Sequence, residues 1–212
     1  MNKAAFDAGD LQAGLQPDLQ AALSGRRLGA LVIGASAGGV EALGALLPSL
    51  PANCRTPVFC ILHLPPDRDS RLAELFAERL PLPVREAVDK ETIVPGTVYF
   101  ASAGYHLSVE RDFTFSLSCE APVHYARPAI DVLMESSADA YGPGLVGILL
   151  TGANHDGAAG MASIHARGGL TVVQDPDDAQ VATMPRSAID TFAPHLILPL
   201  ARIGALLPML ET

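Results

Sequence analysis

A doubly wound α/β fold is predicted by this sequence, and three observations carry the prediction. Short apolar runs recur along the chain, amphipathic helical stripes separate them, and glycine-rich or polar turns follow the runs. Runs that are apolar on both alternations suit strands buried on both faces, as in a parallel sheet covered by helices. The length of 212 residues fits one large domain. A domain of this size buries about 70% of its unfolded surface and needs no disulfide or metal to hold it. Hydrophobic residues make up 49% of the chain, which excludes a chain disordered throughout.

Taken in order, residues 1–27 are polar and rich in Gln and Ala without a strong period, and are expected to form a flexible leader before a domain spanning 28–212. The first strand is Ala30 to Ile33, followed by the turn Gly34 to Gly39 and a helical stripe of Val40, Leu43 and Leu47. Val58 to Leu62 is the second strand, and Leu72, Leu75, Phe76 and Leu80 mark the next helix. Residues 84–117 differ: the runs Val98 to Ala101, His106 to Val109 and Phe113 to Leu117 are broken by Pro and Gly, and no helical period fits. An antiparallel excursion near residues 84–117 is expected there. Ile130, Leu133, Met134, Ala138 and Tyr141 repeat the helical stripe, and Leu145 to Leu150 and Leu170 to Val173 return to buried strands.

Charge narrows the function. With 14 basic and 23 acidic side chains the net charge is −9, which argues against a nucleic-acid partner. Cys54, Cys60 and Cys119 match no zinc or redox spacing and are expected to be small, reduced core residues. No apolar signal core is visible in the first 20 residues. The apolar tail from His195 to Leu210 is interrupted by Pro199, Arg202 and Pro208, so no membrane span is expected and the cytoplasm is the expected compartment.

Three turns could carry chemistry. Gly34-Ala35-Ser36-Ala37-Gly38 fits the G-x-S-x-G nucleophile elbow, with a strand before it and a helix after it. A dinucleotide loop would need glycine where Ser36 stands, and a tightly packed or phosphate-binding loop is the remaining alternative. The helix behind Ser36 offers N–H groups and a positive dipole end to a developing oxyanion. His63 directly follows the second strand, and functional groups in open α/β sheets gather beyond the carboxyl ends of strands. Asp156, in Thr151-Gly152-Ala153-Asn154-His155-Asp156-Gly157, lies past a third strand end, where it could orient an imidazole or simply cap the helix that begins at Gly157. The order Ser, His, Asp differs from the Ser, acid, His order of ordinary α/β-hydrolases.

From about Leu31 to about Leu207 the chain resembles the catalytic domain of chemotaxis protein-glutamate methylesterases, the CheB-type family. The resemblance rests on Ile33-Gly34-Ala35-Ser36-Ala37-Gly38-Gly39, His63-Leu64-Pro65, and Arg127-Pro128-Ala129-Ile130-Asp131. It continues through Leu150-Thr151-Gly152 to Asp156-Gly157, then Gln174-Asp175-Pro176, Met184-Pro185 and Ala188-Ile189. It implies a triad of Ser36, His63 and Asp156 that hydrolyses γ-glutamyl methyl esters on chemoreceptor helices, with glutamine deamidation as a further activity. It also implies backbone oxyanion donors at Ala37 and Ala153 and a substrate pocket involving Arg127 and Met184. No metal or cofactor is expected.

The implied partners are methylated chemoreceptor cytoplasmic helices, with a methyltransferase or a separate response regulator as further candidates. The sequence departs from the family pattern at Ala37, where Thr is common, at Ala153, where Met is common, and at His155, where a smaller residue is usual. Fewer than 30 residues precede the first strand, so a standalone catalytic domain without a receiver is expected. A non-catalytic signalling module of the same fold is the alternative reading.

Overall fold

Ala30–Ala35 (β1) is buried along its whole length, because Val, Ile, Leu and Ala alternate onto two apolar faces with no polar side chain between them. The same holds for Val58–Leu62 (β2), which pairs with it in parallel. The computed structural model describes residues 28–63 and 70–211. The expected leader at 1–27 and the motif residues Leu64 and Pro65 lie outside the described residues.

Gly39–Leu46 (α1) connects the first two strands, and Leu72–Ala77 (α2) follows the second. Val84–Glu86 (β3) and Val98–Phe100 (β4) come next, then His106–Val109 (β5) and Phe115–Ser118 (β6). Ile130–Tyr141 (α3) leads back to Leu145–Leu149 (β7), Ala158–Ala166 (α4) and Leu170–Gln174 (β8). Thr183–Thr191 (α5), Leu196–Leu198 (β9) and Leu200–Leu206 (α6) complete the order.

Among the described residues seven strands form one sheet in the order β3-β4-β2-β1-β7-β8-β9, and every pairing in it is parallel. Leu31, Ile33 and Cys60 pack under α1, α2 and α6 through Leu43, Phe76 and Ile203. On the opposite face Val32, Phe59 and Ile61 pack under α3, α4 and α5 through Met134, Met161 and Met184. This is the doubly wound architecture that the buried runs predict. The chain moves outward from β1 through β2 and β4, then returns to β7 on the other side of β1. The winding therefore reverses between β1 and β7, and a crevice opens there beyond the carboxyl ends of the strands.

The antiparallel excursion expected near residues 84–117 is the two-stranded sheet of β5 and β6, registered His106 against Ser118 through Val109 against Phe115. β3 and β4 instead extend the main sheet in parallel. Three-residue strands joined without a helix leave no periodic signal, so their parallel pairing is invisible in sequence. Two smaller expectations also change. Val40 is exposed, and α1 turns Ala42, Leu43 and Leu46 inward. Cys54 and Cys60 are buried as expected, whereas Cys119 is exposed on the segment after β6.

Candidate active site

The site starts from three neighbouring strands, β2, β1 and β7, beyond whose carboxyl ends stand His63, Ser36 and Asp156. Ser36 leaves β1 with its N–H bonded to Thr151 O at 2.9 Å, which ties the turn to the loop after β7. Gly38, at φ 78°, then reverses the chain into α1. That left-handed conformation favours glycine, and a Cβ there would stand 2.3 Å from Gln180 Oε1.

His63 follows β2 with its side chain 13% exposed. Its Nδ1 lies 3.1 Å from Ser36 Oγ, and its Nε2 lies 2.7 Å from Asp156 Oδ2. The ring is used the other way round from the serine-protease arrangement, where Nε2 faces the serine. The consequence for the proton is direct. An ionised carboxylate only accepts, so Nε2 carries the hydrogen and Nδ1 presents its lone pair to Ser36.

Asp156 is fully buried. Its Oδ2 also accepts from Ile130 N at 2.7 Å, and Oδ1 accepts from Asp131 N at 2.9 Å. Burial works to raise its pKa. The hydrogen bonds from His63 and from the N–H groups of Asp131 and Ile130 outweigh it and hold the carboxyl below its usual range. The positive end of the α3 dipole adds to this. Asp156 is thus a helix cap as well as the partner of the imidazole, but not for the helix predicted. The N-cap of α4 is Gly157, with no side-chain bond, and Asp156 caps α3 instead.

The remaining predicted residues divide into two groups. Among the described residues no hydrogen bond occupies the N–H of Ala37 or of Ala153, which leaves both free to donate. Arg127 and Met184, the residues expected at the substrate pocket, both make contacts within the protein. Arg127 Nη1 donates to the carbonyls of Cys119 and Glu120, tying down the segment before α3. Met184 is fully buried. It packs against Gly152, where a Cβ would meet Met184 Sδ at 2.0 Å.

Three residues escaped the sequence reading. Thr151 Oγ1 donates to Ala37 O at 2.8 Å and accepts from Val181 N at 2.9 Å, so one buried hydroxyl joins the nucleophile turn to the segment before α5. Asp131 Oδ1 accepts from Gly160 N at 2.7 Å in the first turn of α4, and Oδ2 lies 3.3 Å from His124 Nε2. Asn154 Nδ2 lies 3.4 Å from His63 Nδ1. A cluster of polar residues directly after a buried strand was the available signal for Thr151 and Asn154. A carboxylate interrupting the apolar start of a helix was the signal for Asp131. Among the described residues no group of three or more His, Cys, Asp or Glu is arranged to hold a metal ion.

Residues 31–207 match the CheB methylesterase family. The chain belongs to this family. It is similar to the crystal structure of the Thermotoga maritima CheB methylesterase catalytic domain, with a TM-score of 0.81 and 30% identity, covering 87% of this chain and 99% of that one. A Leptospira interrogans protein provisionally named protein-glutamate methylesterase/protein-glutamine glutaminase is 42% identical over 182 residues, 86% of this chain and 94% of that protein. The Myxococcus xanthus protein-glutamate methylesterase FrzG is 36% identical over 177 residues, 84% of this chain and 53% of its own length. The Thermotoga maritima domain therefore shares the sheet described above. Among the described residues no helix is long and apolar enough to cross a membrane.

Proposed function

We propose that this protein is a serine esterase that hydrolyses glutamate γ-methyl esters on chemoreceptor-type signalling proteins. The observation that carries the reading is the relay from Ser36 Oγ to His63 Nδ1 at 3.1 Å and from His63 Nε2 to Asp156 at 2.7 Å. Ser36 Oγ attacks the ester carbonyl as Nδ1 takes its proton, and the buried Asp156 carboxylate stabilises the imidazolium. The N–H groups of Ala37 and Ala153 are the proposed donors to the oxyanion. His63 then protonates the departing methanol, and water hydrolyses the glutamyl ester on Ser36 with the same base. An amide substrate would follow the same course with ammonia as leaving group, which extends the proposal to glutamine deamidation.

The proposed partners are methylated receptor helices, with a methyltransferase or separate response regulator as further candidates. The absence of a disulfide among Cys54, Cys60 and Cys119 supports a reducing, cytoplasmic setting. The test is methanol release from methylated receptor cytoplasmic fragments, run beside Ser36→Ala and with fluorophosphonate labelling of Ser36. Release by the wild type and none by the variant is expected. An unlabelled Ser36 and no release would instead favour a non-catalytic module.

A further inference from the structure

The loop from Asn154 to Asp156 reaches both nitrogens of the His63 ring. Asp156 takes Nε2, and Asn154 Nδ2 approaches Nδ1 at 3.4 Å. The amide is not free to turn round, because Asn154 Oδ1 accepts from Asp156 N at 3.2 Å. Its NH2 therefore faces the imidazole as a fixed donor that never titrates. The carboxylate relay makes no use of this donor, since Nδ1 has one lone pair and Ser36 Oγ lies closer to it, at 3.1 Å. At 3.4 Å the amide sits beyond the range of a good hydrogen bond, at a spacing that suits a third atom.

That atom is needed in the second half of the reaction. Once Ser36 Oγ is acylated it has no proton to give, and Nδ1 must accept one from water. A water that donates to Nδ1 lies about 2.7–3.0 Å from it. Such a water can complete a near-equilateral triangle with Nδ1 and Asn154 Nδ2, accepting from the amide while its remaining lone pair points at the acyl carbon.

We infer that Asn154 is a catalytic residue of deacylation, whose Nδ2–H holds the water that His63 Nδ1 deprotonates; the inference rests on the serine esterase reading. In this step the water oxygen bonds to the acyl carbon and its proton passes to Nδ1. The carbon–Oγ bond then breaks, and Nδ1 returns the proton to Ser36 Oγ. The products are a glutamate carboxyl group and free enzyme, with no other reactant.

The experiment separates the two half-reactions in Asn154→Ala and Asn154→Ser. Fluorophosphonate labelling reports activation of Ser36 and needs no water. Methanol release from a methylated receptor fragment, followed with intact mass spectrometry, reports turnover and the acyl-enzyme. In Asn154→Ala, labelling within about twofold of wild type is expected, with turnover lower by about tenfold or more and acyl-enzyme accumulating. Hydroxylamine, a stronger nucleophile than water, should discharge that acyl-enzyme, and Asn154→Ser should recover part of the turnover. Unchanged turnover in Asn154→Ala overturns the inference. So does a parallel loss of labelling and turnover, which would make Asn154 a support for His63 or for the loop. A wild-type protein that fails to label overturns the esterase reading itself, and this inference falls with it.

Discussion

Asp131 and Asp156 cap each other's helices. Asp156, just ahead of α4, accepts the N–H of Asp131 at 2.9 Å in the first turn of α3, while Asp131 accepts the N–H of Gly160 at 2.7 Å in the first turn of α4. Two helix N-termini, each carrying a positive dipole end, are thereby neutralised by two buried carboxylates. One of those carboxylates is also the partner of His63, so the geometry of the proposed relay is fixed by the same bonds that start two helices.

The two aspartates should pull stability in opposite directions with pH. Burial, with the nearby Asp156 and Glu135 charges adding to it, pushes Asp131 up to about 6, against the Gly160 hydrogen bond and the His124 charge. A carboxyl raised above its unfolded value stabilises the fold below about pH 4, and that contribution is lost as pH rises through about 6. Asp131→Asn keeps a neutral acceptor for Gly160. It should be more stable than wild type by about 1–3 kcal/mol at pH 7–8, with the difference closing toward pH 4. Urea denaturation across pH 4–8 checks this.

For Asp156 the sign reverses. Its carboxyl is held low in the folded protein, so its contribution is present above about pH 4 and is lost as pH falls through the lower folded value. Asp156→Asn should be less stable than wild type at neutral pH, and the gap should narrow on acidification. Turnover in this variant should fall by up to about 10⁴-fold if the residue acts as the triad acid. A loss of stability with full turnover would leave Asp156 as a cap alone.

His155 offers a control for His63. It is exposed, and its Nδ1 faces Ser187 Oγ at 3.2 Å rather than Ser36. His63→Ala should abolish ester hydrolysis with the fold retained by circular dichroism. His155→Ala should keep most of the activity. The reverse pattern would refute the proposed relay at its base.

Gly152 and Met184 predict a packing defect. A methyl group at 152 would collide with the buried thioether, since no open space separates them. Overpacking of this kind costs about 1–3 kcal/mol. Gly152→Ala should therefore lower the melting temperature by about 3–10 °C, measured by calorimetry. It should also slow turnover, because Gly152 adjoins Thr151, which holds the nucleophile turn.

The buried strands β1, β2, β7 and β8 were legible because each is an uninterrupted apolar run, and the residues just past three of them are those the fold draws together. Strand-end logic works for Ser36, His63 and Asp156 because parallel neighbours in register deliver their ends to one place. It fails for β3 and β4, which are too short to show a period. It says nothing of Met184, because a side chain's direction across a helix end is set by the glycine it meets, far away in the sequence. Asn154 and Asp131 were hidden for a related reason. Their significance lies in which atom each faces, and a string of residue types carries no directions.

The relay joins residues 27 and 93 positions apart, and Asp156 follows β7, a strand that reaches β1 only after the winding reverses. A ribosome that has delivered β1 and β2 has made the nucleophile and its base, but their acid and half of the crevice are not yet in the chain. Contacts of such long sequence separation form late and slowly. Hydrolytic competence is therefore a property of the finished sheet. A nascent chain carrying Ser36 and His63 would pass through most of its synthesis inert toward the esters around it.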